Sequence, residues 1–219
     1  GGNDVLDGGS GDDKLYGSSG NDTYIVDSTG DQVLESSPLS SNRDHGGTDL
    51  VRSSVSFDLG TEGAIYVENL VLTGTADING LGNEFGNVIT GNAGANTLSG
   101  GGGRDILTGG DFTDTFVWTN MSDFGGKTAK TADLITDFSK GDFDLIDLSG
   151  VDAVSATAGV NEAFSFIGAV SFSGVAGQLR TVQSGTMTYL AGDTNGDKAA
   201  DFMIALSGLI SLASSDLVL

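Results

Sequence analysis

The sequence predicts an all-β fold, a parallel β-solenoid built from nine-residue repeats in two blocks. Three observations carry that expectation. Glycine, Asp/Asn and apolar residues recur in phase at a nine-residue interval, in two separate stretches of the chain. The acids are skewed to 25 Asp against 5 Glu, and Asp is a poor helix former but a good turn residue. The 219 residues include 36 Gly, one Pro and no Cys, a turn-rich composition with neither disulfides nor a collagen pattern.

The first block opens with Gly2 to Asp7 (GNDVLD), the tail of one unit, followed by GGSGDDKLY from Gly8 and GSSGNDTYI from Gly17. Asp4, Asp13 and Asp22 are nine apart, as are Leu6, Leu15 and Tyr24; the lattice runs on degenerately through Asp31 and Val33. The second block starts at Gly82 and reads GNEFGNVIT, GNAGANTLS, GGGGRDILT, GGDFTDTFV. Its sixth positions are Asn87, Asn96, Asp105 and Asp114, and its eighth positions Ile89, Leu98, Leu107 and Phe116. Glycines at the first, second and fourth positions are expected to take positive φ and form a tight turn that exposes carbonyls. The last three residues form a very short strand with one inward side chain.

Successive strands fall on opposite walls, so two units make one coil and residues 18 apart stack about 4.8 Å apart. Asp4 then lies over Asp22, Asp13 over Asp31, Asn87 over Asp105 and Asn96 over Asp114. Two unit charges about 5 Å apart repel by about 3 kcal/mol at an effective dielectric of about 20. A divalent cation between coils reverses that sign and collects the exposed carbonyls. Ca²⁺ accepts about 6–8 oxygens in flexible geometry where Mg²⁺ demands a tight octahedron, so the pattern selects calcium. Units with Asn at the sixth position, Asn87 and Asn96, are expected to bind more weakly or to serve as scaffold.

Between the blocks, GTDLVRSSVSFDLG places Val51, Ser53, Val55, Phe57 and Leu59 on one face of a half-buried strand. The runs after it, VENLVLTGTADINGLGN, are read as continuing the solenoid. Formal net charge is −21, which argues against nucleic acid or an anionic membrane as partner and for cations. No run of about 18 apolar residues exists, so no membrane span is expected. Gly1-Gly2-Asn3-Asp4 has no charged-then-apolar leader and begins inside a repeat, which reads as a fragment or processed product of a longer chain.

Catalytic groups are scarce. A Ser-His-Asp triad would have to use His45, the single His, in a polar stretch read as surface loop. No serine sits in a G-x-S-x-G elbow, and HExxH is impossible with one His. The chain is therefore read as non-enzymatic.

The units resemble the hemolysin-type or RTX repeat, GGxGxDx(apolar)x; GGSGDDKLY and GGGGRDILT fit it at every defined position. The resemblance implies a parallel β-roll with calcium in the turns, and export by the bacterial type I secretion apparatus through an uncleaved C-terminal signal. On it the candidate ligands are Asp4, Asp13, Asp22, Asp31, Asn87, Asn96, Asp105 and Asp114. With them go Asp27 and the first- and third-position residues Gly8, Ser10, Gly17, Ser19, Gly100, Gly102, Gly109 and Asp111. The connector resembles those between repeat blocks of secreted alginate epimerases and other RTX exoproteins. After Trp118, ADLITDFSKGDFDLIDLSGVDA, AFSFIG, FSGVAGQLR, GDTNGDKAADFMIAL and SSDLVL are similar to the C-terminal domain of serralysin-type secreted metalloproteases. That similarity implies an antiparallel, β-sandwich-like cap. Asp216, Leu217, Val218 and Leu219 resemble the group's terminal export motif.

Two further metal candidates lie in this region. Asp193, Asn195, Asp197 and Asp201 follow EF-hand spacing at positions 1, 3, 5 and 9, with Ile204 where a bidentate Glu belongs; an Asx-rich turn is the alternative. Asp133 and Asp137 are a candidate pair where the roll meets the cap, the alternative being a solvated edge. The expected organisation is a first repeat block over 1–34, a β connector over 35–72, a second block over 73–118 and the cap over 119–219. The expected function is a secreted, calcium-binding module that folds on meeting extracellular calcium and supports export and stability of an upstream domain. The alternative is a calcium-dependent adhesive, surface-layer or polysaccharide-binding module associated with the cell surface.

Overall fold

The computed structural model describes residues 1–35, 46–61, 63–156 and 160–219. Among them there is no α-helix, only two single 3₁₀ turns at Met121–Asp123 and Ser214–Asp216. The first strands are β1 (Val5–Asp7), β2 (Lys14–Tyr16), β3 (Thr23–Val26) and β4 (Gln32–Leu34). Next come β5 (Leu50–Ser53), β6 (Phe57–Asp58), β7 (Asn69–Leu72) and β8 (Gly80–Leu81). The second block supplies β9 (Val88–Thr90), β10 (Thr97–Ser99), β11 (Ile106–Thr108) and β12 (Thr115–Val117). The rest are β13 (Asp133–Ile135), β14 (Leu145–Asp147), β15 (Ser165–Phe166), β16 (Gln178–Ser184), β17 (Met187–Asp193), β18 (Phe202–Ser207) and β19 (Leu217–Val218).

Through β14, odd and even strands part onto opposite walls, as a two-unit coil requires. One wall runs β1-β3-β5-β7-β9-β11-β13, the other β6-β8-β10-β12-β14-β19, and β2 pairs with β4 alone. Neighbours are parallel, with an 18-residue register inside each block: Leu6 opposite Tyr24, Leu15 opposite Val33, Ile89 opposite Leu107, Leu98 opposite Phe116. The eighth-position side chains point inward, and Tyr24, Ile89, Leu98, Leu107 and Phe116 are fully buried. The molecule is an all-β parallel roll.

The connector differs from the single strand its alternation suggests. The chain leaves one wall after Ser53 and joins the other at Phe57, so β5 and β6 belong to different sheets. Ser53 makes the corner: its hydroxyl donates to the Val55 carbonyl at 2.7 Å and accepts the Val55 N–H at 3.2 Å. A buried serine that satisfies the corner's backbone explains why the apolar alternation survives while the strand does not.

At the C-terminal end the first wall gains antiparallel strands β18, β17 and β16, β18 running parallel to β13. The second wall gains β14 and β19. The cap therefore closes the open end of the roll by extending both its sheets. Its core is aromatic: Phe124 stacks on Trp118 and Phe202, and Phe164 meets Phe202 edge-on. No helix of the described residues is long and apolar enough to cross a membrane.

Candidate metal centre

Each repeat ends its turn with the sixth-position residue, and that residue is the hinge between coils. Its carbonyl accepts the N–H that starts the next coil's strand, as in Thr23 N–H to Asp4, Ile106 N–H to Asn87 and Leu134 N–H to Asp105, all at 2.8 Å. Its own N–H does not meet a carbonyl. It donates to the side chain of the next sixth-position residue: Asp4 to Asp22 (2.8 Å), Asp13 to Asp31 (3.0 Å), Asn87 to Asp105 (2.7 Å) and Asn96 to Asp114 (2.8 Å), always to Oδ1. The four expected stacks are the four pairs brought together.

The ladder runs further than the repeats. Asp22 N–H donates to Asp49, Asp49 N–H to Glu68, Asp105 N–H to Asp133 and Asp114 N–H to Asp144. Asp49, Glu68 and Asp144 escaped the sequence reading because their coils are 27, 19 and 30 residues long, off the nine-residue lattice. A signal existed for Asp49: Gly46-Gly47-Thr48-Asp49 precedes a strand as a repeat turn does.

The second carboxylate oxygen is the informative one. Oδ2 of Asp13, Asp22, Asp105 and Asp114 is buried without a hydrogen-bond partner. An unpartnered anionic oxygen out of water is costly, and it points to a ligand. Each of these oxygens lies against the first glycine of its own turn. A Cβ added to Gly8, Gly17, Gly100 or Gly109 would stand 2.5, 2.4, 2.1 or 2.3 Å from it. Those glycines do not have positive φ, contrary to the expectation for the first position; they are glycine to leave room for the carboxylate. The second position does need the left-handed region, at Gly9, Ser18, Gly101 and Gly110 (φ +78, 73, 77 and 108°).

The Asn turns are built differently. In place of a left-handed residue, Asn83 and Asn92 turn their N–H inward to Oδ1 of Asn87 and Asn96, both at 2.8 Å. The amide nitrogens are also spent, Asn87 on the Val67 and Glu68 carbonyls and Asn96 on the Ile78 carbonyl and Asn92 Oδ1. In these turns the side-chain oxygen has an N–H donor of its own, which Oδ2 in the Asp turns lacks. Such a turn is satisfied by itself.

The remaining candidates divide. Asp31 is satisfied at both oxygens, Oδ2 accepting the N–H of exposed Asp27 and of Ser28. Ser10 and Asp111 are exposed, the Ser19 carbonyl accepts Gly2 N–H, and Gly102 donates to Asn83 O. Asp133, fully buried, takes Asp105 N–H, Trp118 Nε1–H (2.9 Å) and Gly125 N–H; Asp137 takes Gly109 and Gly110 N–H. Thus Asp133 and Asp137 serve two different turns. In the Asp193 loop, Asp193 accepts Asn195, Gly196 and Lys198 N–H, and Asn195 Nδ2–H reaches Asp201 Oδ1 at 3.1 Å. Asn195 and Asp197 close further Asx turns. Asp216 pairs with Lys140 at 2.8 Å, and Leu217 and Val218 are strand β19. His45 lies outside the described residues.

Burial pushes the Asp105 carboxyl up to about 8, against the pull of Asn87 N–H and with Asp133 adding to it. Asp114 is pushed up to about 7 by burial, with Asn96 N–H opposing and Asp144 reinforcing. Asp133 and Asp144 are also raised, chiefly by burial. Without a cation these groups are held toward their neutral forms.

The family model for the peptidase M10 serralysin C terminal matches residues 44–219, and that for the RTX calcium-binding nonapeptide repeat (4 copies) matches residues 1–33. Both describe non-catalytic parts of secreted bacterial proteins. No curated protein matches the chain. Among solved structures it is similar to the AlgE6R2 subunit of the Azotobacter vinelandii mannuronan C5-epimerase, with 27% identity, 67% of this chain and 85% of that one covered, and a TM-score of 0.45. The AlgE6R3 subunit of that enzyme is 19% identical over 99% of this chain and 78% of its own, with a TM-score of 0.38.

Proposed function

Because the chain belongs to the peptidase M10 serralysin C-terminal family, and its repeats are of the calcium-binding RTX kind, we propose that it is a calcium-gated folding module. The observation that carries this is the set of four buried, donor-less Oδ2 atoms, on Asp13, Asp22, Asp105 and Asp114. Bound there, calcium supplies positive charge to oxygens that no N–H reaches. The residues that would hold it are those four aspartates with the carbonyls of their left-handed turns; the Asn87 and Asn96 turns need none.

Where calcium is scarce, carboxylate repulsion and the entropy of 36 glycines oppose closure and leave the chain open for export. Outside, calcium at about 100 times a site Kd of about 0.1 mM adds about 2.7 kcal/mol per site. Four such sites give about 11 kcal/mol, the size of a whole domain's stability of about 5–15 kcal/mol. The C-terminus fits the same order of events. In the folded chain Leu217 and Val218 are hydrogen-bonded into the wall beside β14, so an export apparatus that reads Asp216–Leu219 must read them before folding. Folding afterwards makes passage one-way and stabilises an upstream domain.

The test pairs far-ultraviolet circular dichroism across a calcium titration, magnesium as control, with export of a passenger fused ahead of the chain. Strand signal that rises with calcium alone, and export lost on deleting Asp216–Leu219, support the reading. Signal indifferent to calcium refutes the gating, and export without the tail refutes the signal.

One observation favours a second reading, polysaccharide contact. Half-exposed Phe85 and partly buried Tyr66, ring centroids 6.2 Å apart, line an open groove of about 800 Å³ with Glu84 and Asp123, and aromatic faces beside carboxylates suit sugar rings and hydroxyls. A glycan array run with the Tyr66→Ala and Phe85→Ala variants decides it; binding unaffected by both disposes of this groove.

A further inference from the structure

β19 is a two-residue strand that pairs with β14 on one side only. A strand so short at a sheet edge frays unless something ties it down. The tie comes from the loop between β13 and β14. Lys140 Nζ lies 2.8 Å from Asp216 Oδ2 and donates to the Ser211 carbonyl, also at 2.8 Å. Asp216 Oδ2 accepts the Ala213 N–H as well (2.8 Å), and Asp216 N–H returns to the Ala213 carbonyl (3.0 Å). One exposed lysine thus grips both ends of the turn that delivers buried Leu217 to the wall.

A second set of bonds joins that lysine to the ladder. Asp144 is buried and spends its two oxygens on two structures. Oδ1 accepts Asp114 N–H at 2.9 Å, and Oδ2 accepts Ser139 N–H at 2.8 Å. Ser139 immediately precedes Lys140. Its carbonyl accepts Asp144 N–H at 3.1 Å, which closes the loop, and the Thr113 hydroxyl donates to the Asp142 carbonyl at 2.6 Å. The Lys140 loop is therefore built on the turn whose Asp114 Oδ2 has no donor. Where that turn opens, the loop loses Asp114 and Thr113 together. A long, flexible lysine then has no fixed base from which to reach Asp216.

We infer that Lys140 is a latch on the tail: it docks Asp216–Leu219 on β14 while the Asp114 turn is closed, and lets the segment go when that turn opens. The latch stands on the geometry of the tail; its dependence on calcium rests on the calcium reading of the Asp114 turn. Losing the lysine leaves a buried carboxylate with a backbone N–H alone, the costly way to break such a pair. One turn governs the tail. Asp13 and Asp22 sit in the first block, and Asp105 passes its N–H to Asp133 on the other wall. An export signal held this way is open to a receptor where calcium is scarce and concealed once the Asp114 turn fills.

Hydrogen–deuterium exchange of the full chain in saturating calcium, read by mass spectrometry, tests it. Lys140→Met should speed exchange over residues 211–219 about tenfold, the size of one lost charged hydrogen bond, with β9 to β12 as protected as in wild type. Lys140→Arg keeps the charge and should keep most of the protection. Asp114→Asn should free the same segment, whereas Asp13→Asn should loosen the first block and spare the tail. Wild-type exchange over 211–219 in Lys140→Met overturns the latch, and so does a loss of protection spread over the whole chain. A tail freed by Lys140→Met but not by Asp114→Asn overturns the coupling to calcium and supports the clasp alone. A wild type equally protected after chelation overturns the calcium reading, and the Lys140→Met comparison still judges the clasp.

Discussion

Replacing Gly100 by Ala separates two reasons for a repeat glycine. Gly100 has ordinary φ, so backbone strain predicts little cost. Its added Cβ, however, would stand 2.1 Å from Oδ2, 2.4 Å from Cγ and 2.7 Å from Cβ of Asp105. Asp105 is fully buried between coils and must move, breaking its 2.7 Å bond from Asn87 N–H. Loss of a hydrogen bond to a charged group costs about 1.5–3 kcal/mol, and overpacking adds about 1–3 kcal/mol. Gly100→Ala should therefore lose about 3–5 kcal/mol in saturating calcium, together with one bound ion. Gly9→Ala is the control: φ is +78° and nothing lies within 4 Å of its new Cβ, so it should cost about 1–2 kcal/mol. Urea denaturation of both variants, with calcium counted in parallel, gives the comparison. A Gly100→Ala loss no larger than that of Gly9→Ala refutes the claim that the first glycine makes room for a carboxylate.

Asp105→Asn should lower the calcium-loaded melting temperature, because it removes a ligand; differential scanning calorimetry in saturating calcium reads the loss, and an unchanged melting temperature contradicts it. Burial raises Asp105 to about 8 and Asp114 to about 7 from an ordinary value of about 4. The folded chelated state thus holds protons that the unfolded state releases between about pH 4 and 8, so its stability falls as pH rises through that window. Far-ultraviolet circular dichroism of the chelated chain at pH 5 and pH 8 checks this, and more strand signal at pH 8 than at pH 5 contradicts it. Trp118→Phe removes the 2.9 Å donor to buried Asp133 and should cost about 1.5–3 kcal/mol by chemical denaturation.

The roll was legible because its period is written in the residues. Nine-residue spacing of Asp, Gly and an apolar side chain fixes the coil length, the inward face and the pairing of Asp4 with Asp22. What the sequence hid lies where coils change length. Asp49, Glu68 and Asp144 continue the same ladder, but variable loops remove them from the lattice. Lys140 was invisible for another reason: one lysine in a polar loop carries no pattern, and only the fold shows that it meets Asp216. The first-position glycines were recognised but given the wrong cause. Composition shows that glycine is required there, and the adjacent carboxylate shows why.

The most direct measurement is small-angle X-ray scattering of one sample in calcium and after exhaustive chelation at pH 8. With calcium the radius of gyration should sit near or modestly above the ~17 Å of a compact chain of 219 residues. Stripped of the ion it should climb toward the ~50 Å of an unfolded one. Superimposable curves in the two conditions would mean that the buried Oδ2 atoms of Asp13, Asp22, Asp105 and Asp114 need no cation to be held where they are.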